Sequence, residues 1–190
     1  MKPARLSRVF VIALTFLVVA VSGQNGPSIP SWVHPGLTVT YDGVSAFVRN
    51  GQFSQSIQVL MTTRVSAVGG GRVSANTTFQ TVGTPLRSNI AWTCTATGNC
   101  GTGTSAQFWV DPANPTASFH GAHGEPYTIN GHSPYSYGGH TWDSTTMSYN
   151  NPATGWQLFA VFETKTGLIL AYSETSPGQQ VHTYFKGMSQ

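Results

Sequence analysis

The chain has 190 residues, of which 8% are charged and 12% are aromatic. Globular domains usually carry about 25% charged residues. Nine Lys and Arg residues outnumber six Asp and Glu residues, but three of the basic residues lie within the first eight positions. Beyond that start the charges balance, which excludes a basic nucleic-acid-binding surface. The aromatic content excludes a disordered chain, because it supplies apolar area to bury.

The first 23 residues predict a secretory signal peptide. Three basic residues precede an apolar run from Val9 to Val21, and Ser22 and Gly23 follow. This order is typical of a signal sequence. The apolar run is shorter than the roughly 20 residues that cross a bilayer as a helix, so we expect cleavage and no transmembrane anchor afterwards. We therefore expect a secreted or periplasmic protein in which residues 24–190 form one β domain.

Residues beyond the leader have the composition and pattern of an all-β chain. Thr suits an exposed strand face, whereas Lys and Glu, common on exposed helix faces, are scarce. Short alternating runs are separated by turn signals such as Asp42-Gly43, Asn50-Gly51 and the glycines at 69–71. We expect Asp42-Gly43 to end one strand and Val44 to begin the next.

About ten antiparallel strands are expected, joined mainly by hairpins and closed into a barrel or a strongly curved sandwich. No stretch beyond the leader keeps a helical period. The serial hairpins resemble those of lipocalin-type barrels in architecture only. One run, residues 72–80, alternates clearly, with Val73, Ala75, Thr77 and Phe79 on the inward side and Asn76 on the outward side.

The strongest hairpin signal is the stretch from Trp156 to Thr175. Two apolar runs flank a turn that ends at Gly167, which we expect to adopt a left-handed conformation. In this register Phe162 faces Leu170, Ala160 faces Tyr172, and one face of the hairpin is almost wholly apolar. That face predicts either a packed core or a site for a small hydrophobic molecule. The candidate ligand-binding residues are Trp156, Leu158, Phe162, Leu170 and Tyr172.

Cys94 and Cys100 enclose a short, turn-rich loop. In an oxidising compartment this spacing predicts one disulfide that pins a hairpin. A redox-active pair is the weaker alternative, since the spacing is not Cys-x-x-Cys. Asn76-Thr77-Thr78 is an N-glycosylation sequon on an outward strand face, although in a bacterial chain Asn76 is an ordinary polar strand residue.

Residues at about 111–140 are expected to form an irregular segment rich in histidine. Imidazole and carboxylate groups are common zinc ligands, so this segment is a candidate metal site. The helical pattern His-Glu-x-x-His is absent, and the alternative is a structural loop whose histidines bond to the backbone. The candidate ligands are His120, His123, Glu125, His132 and His140.

Other catalytic templates fit poorly. Ser133 lies in a sequence similar to a nucleophile elbow, but Pro134 would remove a backbone N–H that such a site needs. The leading hypothesis is a secreted, non-enzymatic β protein that binds a small apolar ligand or serves as a surface or structural component, without a cofactor. The alternative is a metal-binding protein or metal-dependent hydrolase that holds zinc in the His120–His140 segment.

Overall fold

A computed structural model describes residues 26–49, 52–82, 87–100, 107–119 and 126–189. The expected signal peptide, the Asn50-Gly51 turn and three candidate metal ligands, His120, His123 and Glu125, lie outside these ranges. Within them, no helix has the length and apolar character needed to span a membrane.

Nine antiparallel strands form one strongly curved sheet in the described part of the chain, which confirms the expected fold class. The strand order is β4-β3-β2-β1-β9-β8-β7-β6-β5, so consecutive hairpins build each half and β1 meets β9 in the middle. The strands are β1 Thr38–Arg49, β2 Gln52–Gly69, β3 Arg72–Thr81, β4 Arg87–Thr95, β5 Thr128–Tyr137, β6 His140–Asn151, β7 Trp156–Glu163, β8 Ile169–Ser176 and β9 Gln179–Ser189; the helix α1 is Pro115–Ser118.

Strand β1 continues through Asp42 and Gly43, so the turn expected at this dipeptide is wrong. Gly43 pairs with Val59 on one side and Thr183 on the other. A Cβ atom at Gly43 would lie 2.9 Å from the carbonyl oxygen of His182 and 3.1 Å from Cγ2 of Thr183. Glycine is therefore required here because a neighbouring strand comes close, and not because the chain turns.

Strand β5 occupies residues that were expected to be irregular. It is an edge strand that pairs with a neighbour on one side only. Pro134, which has no backbone N–H, can therefore lie in it, as proline does in edge strands. The pairing register shifts between Ile129 and Gly131, where the strand bulges. The expectation of an irregular segment up to residue 140 is thus wrong for Thr128–Tyr137, and turns and the short α1 occupy residues 111–118.

Residues 107–119, here called the core strap, pack against both halves of the sheet. Val110 N donates to Gly167 O (2.8 Å), and Ile169 N donates to Phe108 O (3.0 Å). One buried cluster joins the strap to β1–β4 and contains Val33, Leu37, Val39, Tyr41, Val65, Val73, Ala75, Trp92, Cys94, Phe108 and Trp109. A second cluster joins it to β6–β8 and contains Val110, Phe119, Tyr127, Met147, Leu158, Ala160, Phe162 and Ile169.

Asp111 fixes the strap to the segment that precedes β1. Its carboxylate accepts hydrogen bonds from Ser28 N (2.7 Å) and Ser28 Oγ (3.2 Å). Ala113 N (2.9 Å) and Asn114 Nδ2 (3.2 Å) also donate to it. Burial alone would raise the pKa of Asp111, but these hydrogen bonds outweigh it and hold the pKa below its ordinary value.

The expected disulfide between Cys94 and Cys100 is present. Cys94 is fully buried at the end of β4 and belongs to the first cluster. The bond closes the turn after β4, where Thr95 N donates to Asn99 O (2.9 Å). The disulfide therefore fixes a loop at the sheet edge that local hydrogen bonds already shape.

Replacing both cysteines by Ser is expected to lower the free energy of unfolding by about 2 kcal/mol, because so short a loop gains little chain entropy when it opens. The fold should persist, since the other buried members of the two clusters pack without the bond. Denaturant unfolding of the variant and the parent protein measures the difference. Two free thiols in the intact mass of alkylated, oxidised protein would contradict the disulfide.

Candidate functional site

The β7–β8 hairpin contains a bulge that alternation did not reveal. Ala160 pairs with Tyr172 as expected, but Phe162 pairs with Ile169 and Val161 pairs with Ala171. Leu170 is thus the extra residue of the bulge. Such an insertion changes which face the following side chains occupy. Leu170 accordingly packs in a third cluster with Val161, Leu168 and Ala171, apart from Leu158 and Phe162.

The predicted ligand-binding residues are therefore not all brought together. Leu158 and Phe162 are 1% and 2% exposed, and side chains of the chain itself, including Val110 and Phe119, pack in the same cluster. Trp156 and Tyr172 are partly buried at the border of that cluster, and Leu170 lies in the other. Their part in ligand binding stays a prediction.

Tyr172 is the polar member of this group. Its hydroxyl donates to Glu174 Oε2 (3.0 Å). Burial, followed by the proximity of Tyr127 and Glu174, raises the pKa of Tyr172 well above its ordinary value, so the phenol stays protonated. Tyr172 thus supplies a neutral hydroxyl beside an apolar cluster.

Two of the five predicted metal ligands, His132 and His140, lie in the described residues, and they are far apart. His132 Nδ1 is 2.7 Å from Thr145 Oγ1 on the neighbouring strand. Thr145 and His140 are five positions apart on β6, a distance of roughly 17 Å along the strand. Because this separation is an odd number of residues, their side chains point to opposite faces of the sheet. His132 and His140 cannot ligate one ion together. No group of three metal-binding side chains occurs within the described ranges, and the role of the other three residues stays a prediction.

An open groove lies where the middle strands of one half end early. β7 pairs with β6 only as far as Ser144, so His140–Asp143 extend beyond it. β8 pairs with β9 only as far as Tyr184, so Phe185–Ser189 extend beyond it. The two extensions border the groove, which we call the aromatic groove. Its volume is about 670 Å³, and it is lined by Asp42, Tyr137, Gly138, His140, Trp142, Phe185, Lys186, Gly187 and Met188.

The β5–β6 turn positions one wall of the aromatic groove. Tyr137 pairs with His140 across Gly138 and Gly139, whose φ angles are +58° and +81°. Two consecutive residues with positive φ form the type I′ turn, which matches the twist of a hairpin and requires glycine-like residues. The turn therefore fixes where Tyr137 and His140 stand relative to the opposite wall.

Aromatic contacts join the two walls. The rings of Tyr137 and Tyr184 are stacked, with centroids 5.0 Å apart. The ring of Trp142 meets Phe185 edge to face at 6.3 Å and lies 5.6 Å from His140. Such pairs hold their rings in defined orientations. The half-buried rings of Tyr137, Trp142 and Phe185 thus give the groove a firm apolar surface that remains open to solvent.

A bulge in β9 forms the opposite wall. Tyr41 pairs with Phe185 and Thr40 pairs with Gly187, so Lys186 is the extra residue. Successive residues of a regular strand point to opposite faces, but here Phe185 and Lys186 both line the groove. Lys186 Nζ lies 3.2 Å from Asp42 Oδ1. The bulge therefore places an aromatic ring and an ion pair side by side.

Sequence reasoning missed the groove because its residues come from three separate stretches of the chain. A local signal did exist: Tyr135 and Tyr137 are two positions apart, and Trp142 faces Tyr135 in the paired strand. Period-two aromatics on each side of Gly138-Gly139 predict an aromatic hairpin face. The Lys186 bulge had no such signal.

No protein-family model matches the chain, and no curated protein sequence matches it. Among solved structures, the chain is similar to a Bacteroides fragilis protein described as exported and YmcC-like in fold (11% identity, TM-score 0.46, covering 87% of this chain and 98% of that one). It is also similar to a DUF1329 family protein from Desulfovibrio piger (8%, TM-score 0.25, covering 81% and 85%). A third similar structure is an outer membrane lipoprotein-sorting protein domain from Vibrio parahaemolyticus (9%, TM-score 0.27, covering 80% and 84%). Similarities this distant assign no function to the chain.

Proposed function

We propose that this chain is a non-enzymatic, extracytoplasmic binding protein for a small apolar molecule, and that the aromatic groove holds the ligand. The observation that carries the proposal is a groove of about 670 Å³ in which aromatic side chains are held in place but remain accessible. Small-molecule sites typically have volumes of about 300–1,000 Å³, mostly apolar walls and a few polar groups. The aromatic groove has all three properties.

The expected leader and the disulfide support an extracytoplasmic location. A basic and then apolar start is typical of secreted chains. The Cys94–Cys100 bond would persist in an oxidising compartment outside the cytoplasm. The groove is a better site than the β7–β8 face, because Leu158 and Phe162 are covered by the core strap and a ligand would have to displace it.

Folded protein is expected to bind N-phenylnaphthylamine, a neutral dye that fluoresces in apolar surroundings. Trp142→Ala should weaken this binding at least about fivefold, because it removes a central ring of the site. Fluorescence titration measures the dissociation constant.

Phe159→Ala is the matched control for this prediction. Phe159 is an aromatic residue with 41% exposure on β7, and it does not line the groove. Its loss should leave dye binding within about twofold. Cooperative unfolding of both variants establishes that they are folded. Folded parent protein that fails to bind the dye, or equal binding by the Trp142 variant, would refute the aromatic groove as the site.

A further inference from the structure

We infer that the molecule bound in the aromatic groove is an amphipathic anion, with an apolar body against the rings and a carboxylate-type group at Lys186. The inference rests on the proposed function and specifies its ligand. It starts from the carboxylate, ammonium and imidazole groups of the lining, which belong to Asp42, Lys186 and His140. These three lie beside apolar surface, so they determine which head group the site accepts.

Lys186 is the group that is free to reach a ligand. An ammonium group has three donors, and the contact with Asp42 Oδ1 accounts for one of them. The side chain of Lys186 is 55% exposed and that of Asp42 is 44% exposed. Because the bulge places Lys186 on the same side as Phe185, its remaining donors lie next to the ring surface.

The hydrogen-bond donors of the groove favour an anion. Lys186 keeps donors beyond its contact with Asp42, and His140 adds an imidazole N–H that can donate a hydrogen bond. A carboxylate can accept from Lys186 without displacing Asp42 and can face His140 on the other wall. The complementary ligand therefore carries one negative charge at one end.

The test is displacement of the same neutral dye by three ligands that share a dodecyl chain and differ in the charge of the head group. They are used below their critical micelle concentrations and at low ionic strength. The ligands are dodecanoate, dodecanol and dodecyltrimethylammonium. We expect dodecanoate to displace the dye at lower concentration than the cationic ligand. Lys186→Met should reduce the preference for dodecanoate over dodecanol about fivefold, since solvent-exposed ion pairs contribute up to about 1 kcal/mol. Lys186→Arg should retain the preference.

Two further variants distinguish the effect of a charge in the groove from the effect of the net charge of the protein on ligand binding. Asp42→Asn leaves Lys186 unneutralised and should strengthen dodecanoate binding about threefold. Lys165→Met removes the exposed lysine of the β7–β8 turn, outside the groove, and should leave all three displacement constants within about twofold. If all three ligands displace the dye and Lys186→Met changes none of the displacement constants, the inference is wrong but the proposed function stands. The same holds if the cationic ligand binds more tightly than dodecanoate. Failure of all three to displace the dye overturns the proposed function with it.

Discussion

Gly167→Val is expected to destabilise the protein by about 4 kcal/mol, more than any other single substitution considered for the β7–β8 hairpin. Gly167 has φ +75°, where a β-branched side chain is strained. A Cβ atom there would also fall on the carbonyl oxygen of Val110 and lie 3.1 Å from Cδ of Pro112. The strap would have to move away, and the hydrogen bond from Val110 N to Gly167 O would be lost. Chemical denaturation measures the loss.

Two controls separate the causes of this effect. Gly71 has φ +69°, but nothing lies within 4 Å of a Cβ atom there, so Gly71→Ala should cost only the backbone strain of about 1 kcal/mol. Gly167→Ala should cost clearly more, because it adds the collision with the strap. Lys165→Ala, in the same turn, should change little. Similar losses of unfolding free energy for Gly71→Ala and Gly167→Ala would mean that the core strap does not contact the turn closely.

Asp111→Ala should cost about 3 kcal/mol, the second largest effect that we expect. The substitution leaves the backbone N–H groups of Ser28 and Ala113 without their carboxylate acceptor, at a site where Asp111 is 4% exposed. Hydrogen bonds to a charged acceptor are stronger than neutral ones, and the substitution removes several of them at once. Asp143→Ala removes an exposed carboxylate and should cost no more than about 0.5 kcal/mol. Equal losses in the two variants would contradict an anchoring role for Asp111.

Acid should remove the contribution of Asp111. Because its pKa is lowered in the folded protein, the carboxylate stabilises the fold above its unfolded-state pKa of about 3.9 and loses that contribution as the pH falls through the folded-state value. The stability difference between the parent protein and Asp111→Ala should therefore shrink from about pH 5 to about pH 2. A difference that stays constant over this range would show that the carboxylate is not held ionised.

Alternation and turn chemistry predicted the fold class, because both act over a few residues. Val73, Ala75 and Thr77 are buried and Asn76 is exposed, as the period of two requires. Gly167 has the expected left-handed conformation. The bulge at Leu170 was not predictable, because Ile169 and Leu170 are both apolar and either could face the same cluster. One inserted residue then separated a predicted apolar face into two.

The glycines and the proline of β1 and β5 have roles that tertiary contacts decide. Gly43 indicated a turn after Asp42, but neighbouring strands explain it. Residues up to about 140 were expected to be irregular, but Gly131 and Pro134 are compatible with a bulged edge strand. The aromatic groove depends on where β7 and β8 end relative to β6 and β9. Relative strand lengths are set by pairing across the whole sheet, so local patterns could not reveal the site.

The meeting of β1 with β9 in the middle of the sheet has a consequence for how the chain folds. Strands β1 to β4 can form from neighbouring hairpins as soon as they are synthesised, and β5 to β8 can do the same. The join between the halves pairs residues as distant as Asp42 and Lys186, 144 positions apart, so it must wait for the last strand. Such long loop closure slows folding. Until it happens, β1 and the inner end of the other half, first β8 and then β9, are unpaired edges open to association with other chains.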